Sequence, residues 1–156
     1  MPTAIILSQG TELTTGRTLD SNAQWLCQQL WDRGYSVQYI HTVPDDKQRI
    51  ISSFQQSSQE ADLIVSTGGL GPTEDDLTIE CLAAAFQLQM EYNDYALEHL
   101  RQYYQKRNRS PSSAAKKMAL LPIGTLPINN PIGSATGVLF EHENGSILCL
   151  PGVPAE

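Results

Sequence analysis

The sequence predicts an α/β domain in which a mainly parallel sheet is covered by helices on both faces. Two observations carry this. Short apolar, β-branched runs at residues 3–8 and 63–65 lack the in–out alternation of a half-exposed strand and suit strands buried on both faces. They also alternate with helix-period segments in the order β-α-β-α-β-α over short or moderate connections, the pattern that builds parallel sheets.

Size and composition agree with one domain. A chain of 156 residues buries a proper core, and 40% hydrophobic with 17% charged residues is ordinary for a globular protein. No apolar run approaches a membrane span, and no basic region precedes the first apolar residues. The net charge of −7 argues against non-specific nucleic-acid binding. Of the ten Lys and Arg residues, six lie between Arg101 and Lys117; they read as a solvated basic helix end, with an anionic ligand as the alternative. Cys27, Cys81 and Cys149 are odd in number and have no metal spacing, so reduced core thiols in a cytoplasmic protein are expected.

The first strand ends in Gly10-Thr11-Glu12-Leu13-Thr14-Thr15-Gly16, a polar turn with a glycine at each end. Asp20 or Ser21 caps a helix to Arg33 whose face is Ala23, Leu26, Cys27, Leu30 and Trp31, with Gly34 as its stop. Both tryptophans read as core or interface. A second strand over 35–43 is broken by Pro44-Asp45-Asp46, where Asp45 is placed to cap a helix with Ile50, Ile51 and Phe54 on its apolar face.

The third strand leads into Thr67-Gly68-Gly69-Leu70-Gly71-Pro72-Thr73-Glu74-Asp75-Asp76-Leu77-Thr78, the stretch around which the chain is organised. Its glycines let backbone N–H groups approach a ligand, and a following helix start favours negative charge there. Three carboxylates beside a phosphate would repel it unless a divalent cation bridges them. Acidic residues also stabilise any helix start, and Thr73 with Asp76 approximates a capping box. Glu74 is read equally well either way, whereas Asp75 and Asp76 are assigned to function.

Beyond Phe86, Asn93 caps a helix to about Arg107, with Leu97, Leu100 and Tyr104 on one face. Residues 108–113 form a loop and 113–121 another short helix ended by Pro122. Residues 129–137 are a long irregular segment, which implies a role. The strands at 138–141 and 146–150 flank an Asn144-Gly145 hairpin turn. The loops at 9–16, 42–46 and 67–76 then meet at the carboxyl edge of the sheet, where ligands bind in such folds. No Walker A, dinucleotide fingerprint, Ser-His-Asp set or histidine ligand spacing is present.

The glycine-acid loop resembles the signature of the CinA (competence/damage-inducible) proteins, part of the molybdopterin-binding superfamily that includes MogA and MoeA. Matching residues are Gly10-Thr11-Glu12-Leu13 with Gly16, Asp20 with Asn22, Asn130-Pro131-Ile132-Gly133, and Pro151-Gly152-Val153-Pro154-Ala155-Glu156. The resemblance implies a three-layer α/β/α sandwich of MogA-like fold that self-associates as a homo-oligomer. It implies either metal-dependent hydrolysis of ADP-ribose to AMP and ribose 5-phosphate, or molybdopterin binding with adenylyl transfer; a non-catalytic ligand-binding and dimerisation module is the third reading. The cofactors implied are a divalent cation (Mg²⁺, Mn²⁺ or Co²⁺) and, for the second reading, molybdopterin as ligand.

On the hydrolytic reading Asp75 and Asp76 hold the metal, and Glu12, Asp45 and Asp76 are catalytic. Gly10, Thr11, Thr67, Gly68, Gly69, Gly71, Lys117, Asn130, Gly133, Pro151 and Gly152 would bind substrate. Val43-Pro44-Asp45 looks more like MogA than CinA. Ala115 and Met118 stand where the family often has Asn and Gln, leaving Lys116 and Lys117 to offset phosphate charge. The chain is expected to be a single domain over 1–156, cut short after its last strand, without the nicotinamide-nucleotide amidohydrolase domain that the resemblance implies in a full protein.

Overall fold

The computed structural model describes residues 1–156. In chain order the elements begin with β1 (Thr3–Gln9), the single turn α1 (Thr11–Thr14), α2 (Ser21–Asp32), β2 (Ser36–Val43), α3 (Lys47–Glu60), β3 (Leu63–Thr67) and α4 (Thr78–Ala85). They continue with β4 (Met90–Tyr92), α5 (Asp94–Gln105), α6 (Ser113–Lys116), a 3₁₀ turn (Lys117–Ala119), β5 (Leu120–Pro122), β6 (Leu126–Ile128), β7 (Gly137–His142) and β8 (Gly145–Leu150).

Six strands form one sheet in the order β2-β1-β3-β8-β7-β6. The first four are mutually parallel, while β7 and β6 complete the sheet by antiparallel pairing. The mainly parallel sheet is as the sequence predicts, and so is the β7–β8 hairpin. β1 is buried along Ala4 to Gln9, which is why its sequence carries no alternation. The larger core packs α3, α4 and α5 on one face through Ile50, Phe54, Leu82 and Leu100; α2 covers the other with Ala23, Leu26 and Leu30 against Ala4, Ile6 and Val65. Phe54, fully buried, is the largest core side chain, and burial of that size contributes about 1.5–3 kcal/mol. The thiol of Cys149 is pushed up to about 12 by burial, and that of Cys81 to about 11, mainly by burial with Glu80 adding to it.

Three local expectations change. Asp45 does not cap α3; Asp46 does, its carboxylate accepting from Arg49 N at 2.9 Å, because Asp45 is held elsewhere. Of the two readings of the tryptophans, core or interface, the core one falls: Trp25 is 61% and Trp31 67% exposed, since α2 buries only a narrow stripe. Residues 113–121 are not one helix, for α6 tightens into the 3₁₀ turn and gives way to β5, which pairs with β4. β2 is an edge strand with Tyr39 and Ile40 half-exposed. Asn93 caps α5 by accepting from Ala96 N, and Gly34 (φ +83°) ends α2, both as expected.

Candidate functional site: a carboxylate-lined cleft at the switch point

Strand register sets the site. Gln9 pairs with Val43, Ser8 with Thr67, and Thr67 with Leu150, so the four parallel strands end in one row. After β1 the chain crosses to β2 on one side and then returns to β3 on the other. The crevice between β1 and β3 is therefore a topological switch point, where open α/β sheets bind ligands.

A cleft of about 530 Å³ opens there. It collects Gly10 and Glu12 from the first loop, Asp45 from the second, Thr67, Gly68, Gly69, Gly71, Asp75 and Asp76 from the third, and Pro151 and Gly152 from the last. The convergence of separate polar loops expected from the sequence is thus present in space. Asp20 and Glu156 add two further carboxylates, and no Lys, Arg or His lines the cleft.

The glycine loop is shaped from beneath. Gly68 has φ +97°, and a Cβ there would sit 2.5 Å from Gln9 O; Gly69 has φ +70°, and its Cβ would collide with Thr78 Oγ1. Thr78 is fully buried, and its Oγ1 lies 2.5 Å from Gln9 Oε1 and 2.7 Å from Gly68 O. Gln9 Nε2 in turn donates to Ser66 Oγ at 2.5 Å. A buried chain of polar groups from Ser66 through Gln9 and Thr78 braces the loop. The N–H groups of Gly69, Leu70 and Gly71 make no hydrogen bond within the chain and remain as donors.

The helix start acts differently from the expectation. α4 begins only at Thr78, and its N–H donates back to Gly69 O at 3.2 Å. The helix end supports the loop; it does not present that amide to a ligand. Between them, Asp76 Oδ2 accepts from Thr73 N at 2.9 Å and Thr73 Oγ1 at 2.6 Å, half of the anticipated capping box but without a helix behind it. The carboxylate lies against Gly71, where a Cβ would meet Oδ2 at 2.7 Å.

Other predicted residues have structural tasks. Thr11 N donates to Asp45 Oδ2 at 3.0 Å and Thr11 Oγ1 accepts from Asp45 N at 3.1 Å, clamping the first two loops together. Thr11 thus stands behind the cleft wall and positions Asp45. Lys117 Nζ donates to Thr73 O and Asp76 O, each at 2.7 Å, and so pins the acidic loop from outside the cleft. Asn130 is buried and organises its own loop: Oδ1 accepts from Ile132 N and Gly133 N, and Nδ2 donates to Ala135 O at 2.9 Å and Glu156 Oε2 at 3.1 Å. Gly133 O is met by His99 Nε2 at 2.9 Å. Neither Asn130 nor Gly133 reaches the cleft lining, although Ser134 and Ala135 beside them do.

Sequence reasoning missed Gln9, Ser66 and Thr78 as site-forming residues. The one available signal was position: Gln9 and Ser66 directly follow the apolar runs 3–8 and 63–65, and the strands extend to include them, burying polar side chains that then need partners. Asn22 Nδ2 donates to Gly152 O at 2.8 Å, joining α2 to the last loop.

As a candidate metal centre the cleft has hard oxygen donors in Glu12, Asp45 and Asp75, with Asp76 already engaged through Oδ2. No three His, Cys, Asp or Glu side chains are gathered into a metal-binding group.

The fold and cleft define an α/β protein with an anion-type loop at its switch point. The chain belongs to the family described as "Probable molybdopterin binding domain", whose model matches residues 5–156. It is 41% identical over 156 residues to a protein of Pyrobaculum calidifontis, covering 100% of this chain and 60% of that one. It is also 41% identical over 151 residues to a CinA-like protein of Anaeromyxobacter sp. (strain K), covering 97% of this chain and 37% of that one. The chain thus spans 60% and 37% of the length of these two relatives. Among solved structures it is similar to CinA, a protein of unknown function from Thermoplasma acidophilum, with a TM-score of 0.93 and 33% identity over 99% of this chain and 90% of that one. The molybdopterin biosynthesis enzyme MoaB of Thermus thermophilus shares the fold, with a TM-score of 0.63 and 21% identity over 99% and 84% of the two chains. No helix is long and apolar enough to cross a membrane.

Proposed function

We propose that the cleft binds a pyrophosphate ligand together with a divalent cation, and that the domain hydrolyses a nucleotide pyrophosphate of the ADP-ribose type to AMP and ribose 5-phosphate. One observation carries this reading: six carboxylates and no basic residue line a cleft floored by a glycine loop with unpaired amides. Such a cleft accepts phosphate only with compensating positive charge.

Asp75 and Asp76 would hold Mg²⁺, Mn²⁺ or Co²⁺, which when bound supplies charge compensation and polarises the phosphoryl oxygen. The N–H groups of Gly69, Leu70 and Gly71 donate to the phosphoryl oxygens as charge builds on them. Glu12 is exposed, its carboxylate makes no hydrogen bond within the chain, and it reaches back over Gly10 into the cleft; it takes the proton from the attacking water. Asp45, fixed by Thr11, orients that water. Water oxygen bonds to phosphorus as the bridging P–O bond breaks, and the leaving phosphate departs with its electron pair.

A second reading, binding of molybdopterin with adenylyl transfer onto it, is favoured by the family match across residues 5–156. Incubation with ADP-ribose and each cation, followed by product analysis, separates the two. AMP release without pterin supports hydrolysis. No AMP with any of the three cations, alongside tight pterin-phosphate binding, moves the assignment to the second reading; no binding of either ligand leaves a scaffold domain. The half-exposed Tyr39 and Ile40 on edge strand β2 support self-association, which sedimentation measures.

A further inference from the structure

The charges of the chain are segregated. Residues 101–117 carry six of its ten Lys and Arg and no Asp or Glu, while the rest holds all 17 Asp and Glu against four cations. Within that segment Arg101 is paired with Glu98, and Lys117 is occupied by Thr73 O and Asp76 O. Lys106, Arg107, Arg109 and Lys116 form no ion pair. Three of these four sit on the turn that closes α5, where residues 105–110 are all exposed. The turn is tied down: Arg107 N and Arg109 N donate to Tyr104 O and Asn108 N to Gln105 O, each at 3.0 Å. Asn108 takes the left-handed φ of +54° that commonly ends a helix. Arg107 lies 3.6 Å over the Tyr103 ring centroid and donates to Tyr103 O at 3.1 Å, whereas the Arg109 guanidinium has no partner within the chain.

The cleft presents the complement, six carboxylates with Glu12, Asp75 and Glu156 exposed, and no Lys, Arg or His in its lining. A single divalent cation leaves most of that charge uncompensated. The α5 tip does not serve its own cleft: no residue of α5 or of its closing turn lines it. Buried Ala96 and Leu100, with His99 Nε2 on Gly133 O, fix the helix in place. We propose that the α5 tip docks head to tail at the cleft of a second copy of this chain and delivers Arg109 there as the cation the site lacks. The role of Arg109 in the reaction rests on the reading of the cleft as a phosphate site; the docking itself rests on charge and shape. A planar guanidinium pairs with carboxylate or phosphate through two parallel N–H donors, and an arginine supplied in trans stabilises charge during phosphoryl transfer. A nucleic acid suits the tip less, because the rest of the surface is acidic. The contact joins unlike surfaces and closes a ring or builds a chain, so it is distinct from pairing across edge strand β2.

The test is sedimentation velocity of the 156-residue chain at low and high salt. The wild type should associate at low salt and come apart as salt rises. A tip variant, Lys106→Glu with Arg109→Glu, and a cleft variant, Glu12→Lys with Asp75→Lys, should each lose that salt-sensitive association. Mixed, they should form a one-to-one complex, since each then offers the surface the other needs. All four side chains are exposed, so circular dichroism should be unchanged. If the cleft variant does not fold, Glu12→Gln with Asp75→Asn replaces it and should still join the tip variant through its own intact tip. Association that ignores the tip variant, or two single variants that do not join when mixed, overturns the docking, as does a wild type that stays monomeric. A kinetic arm reads Arg109 itself: Arg109→Ala should slow AMP release from ADP-ribose at least tenfold, and adding inactive Glu12→Gln chains should restore it in trans. Slowing without restoration would place Arg109 in its own chain and also refute the proposal. Rescue of association by the charge swap in a protein that releases no AMP keeps the docking and removes the hydrolytic reading. Full AMP release from a tip variant does the reverse.

Discussion

Thr78 Oγ1 occupies the space that a Cβ on Gly69 would need, which ties the conformation of the glycine loop to a residue on the following helix. Gly69→Ala therefore meets two penalties, a left-handed backbone at φ +70° and a clash with a buried hydroxyl. The substitution should destabilise the domain by about 2 kcal/mol or more in urea unfolding. Adding Thr78→Ala removes the clash with Oγ1 but leaves Thr78 Cβ at 3.2 Å and the backbone strain, so the double-mutant cycle should show a coupling of about 1 kcal/mol in the rescuing direction. Strict additivity of the two changes would mean that the loop relaxes away from Thr78.

Thr78→Val keeps the shape and removes the hydroxyl. Gln9 Oε1 and Gly68 O then lose their buried donor, which costs about 1–3 kcal/mol, whereas Thr78→Ser should stay near wild type. Equal stability of the valine and serine variants in thermal melts would show that ordered water replaces the hydroxyl.

These two cases mark what was legible in the sequence. The alternation of strands and helices, the α5 cap at Asn93 and the Asn144-Gly145 hairpin depend on neighbours in the chain, and local pattern reveals them. The gathering of the first three loops followed from the parallel alternation of elements. The Gln9–Thr78 contact spans 69 positions, and no local pattern pairs a strand end with a helix start that distant. Asp45 and Asp46 are equally good caps on propensity; Thr11 decides between them by capturing Asp45. β5 ends in Pro122 and pairs with β4 along only three residues, so its proline read as the end of a helix. Lys117 carries charge that suits a phosphate, yet two backbone carbonyls brought close by the fold take it.

Asp62 offers a pH test away from the cleft. The N–H and then the hydroxyl of Thr3 donate to its carboxylate, at 2.7 and 2.9 Å, and hold its pKa below the ordinary 3.8. Because the folded value is depressed, its contribution to stability is present above the unfolded value and is lost as pH falls through the folded one. Asp62→Asn should lower Tm at about pH 7, and the gap to wild type should close as pH drops below about 3.8. A gap constant across that range would mean the carboxylate charge contributes nothing.

Asp76→Asn distinguishes a metal ligand from a turn closure. An amide oxygen still accepts from Thr73, so the fold should survive, as circular dichroism would show. If the carboxylate holds a cation beside the ligand's phosphates, the variant loses cation-dependent pyrophosphate binding in calorimetry by roughly tenfold or more. Unchanged affinity would assign Asp76 to the turn alone.

Glu12 and Asp45 face the same cleft but are held differently, and the difference predicts different kinetics. Asp45 is fixed by the reciprocal pair with Thr11, while the Glu12 carboxylate faces the cleft with no hydrogen-bond partner within the chain. Glu12→Gln keeps the size and removes the base, so AMP release from ADP-ribose should fall by roughly a hundredfold to ten-thousandfold in kcat with KM little changed. Asp45→Asn keeps an acceptor for Thr11 and disturbs only the orientation of water, so its loss in kcat should be smaller. Thr11→Val removes the Oγ1 half of the clamp and leaves Thr11 N–H on the Asp45 carboxylate, so its kcat loss should be no larger than that of Asp45→Asn and well below that of Glu12→Gln. If Glu12→Gln raises KM and leaves kcat intact, Glu12 binds ligand or cation and the proton goes elsewhere; a larger kcat loss in Asp45→Asn than in Glu12→Gln would exchange the two assignments.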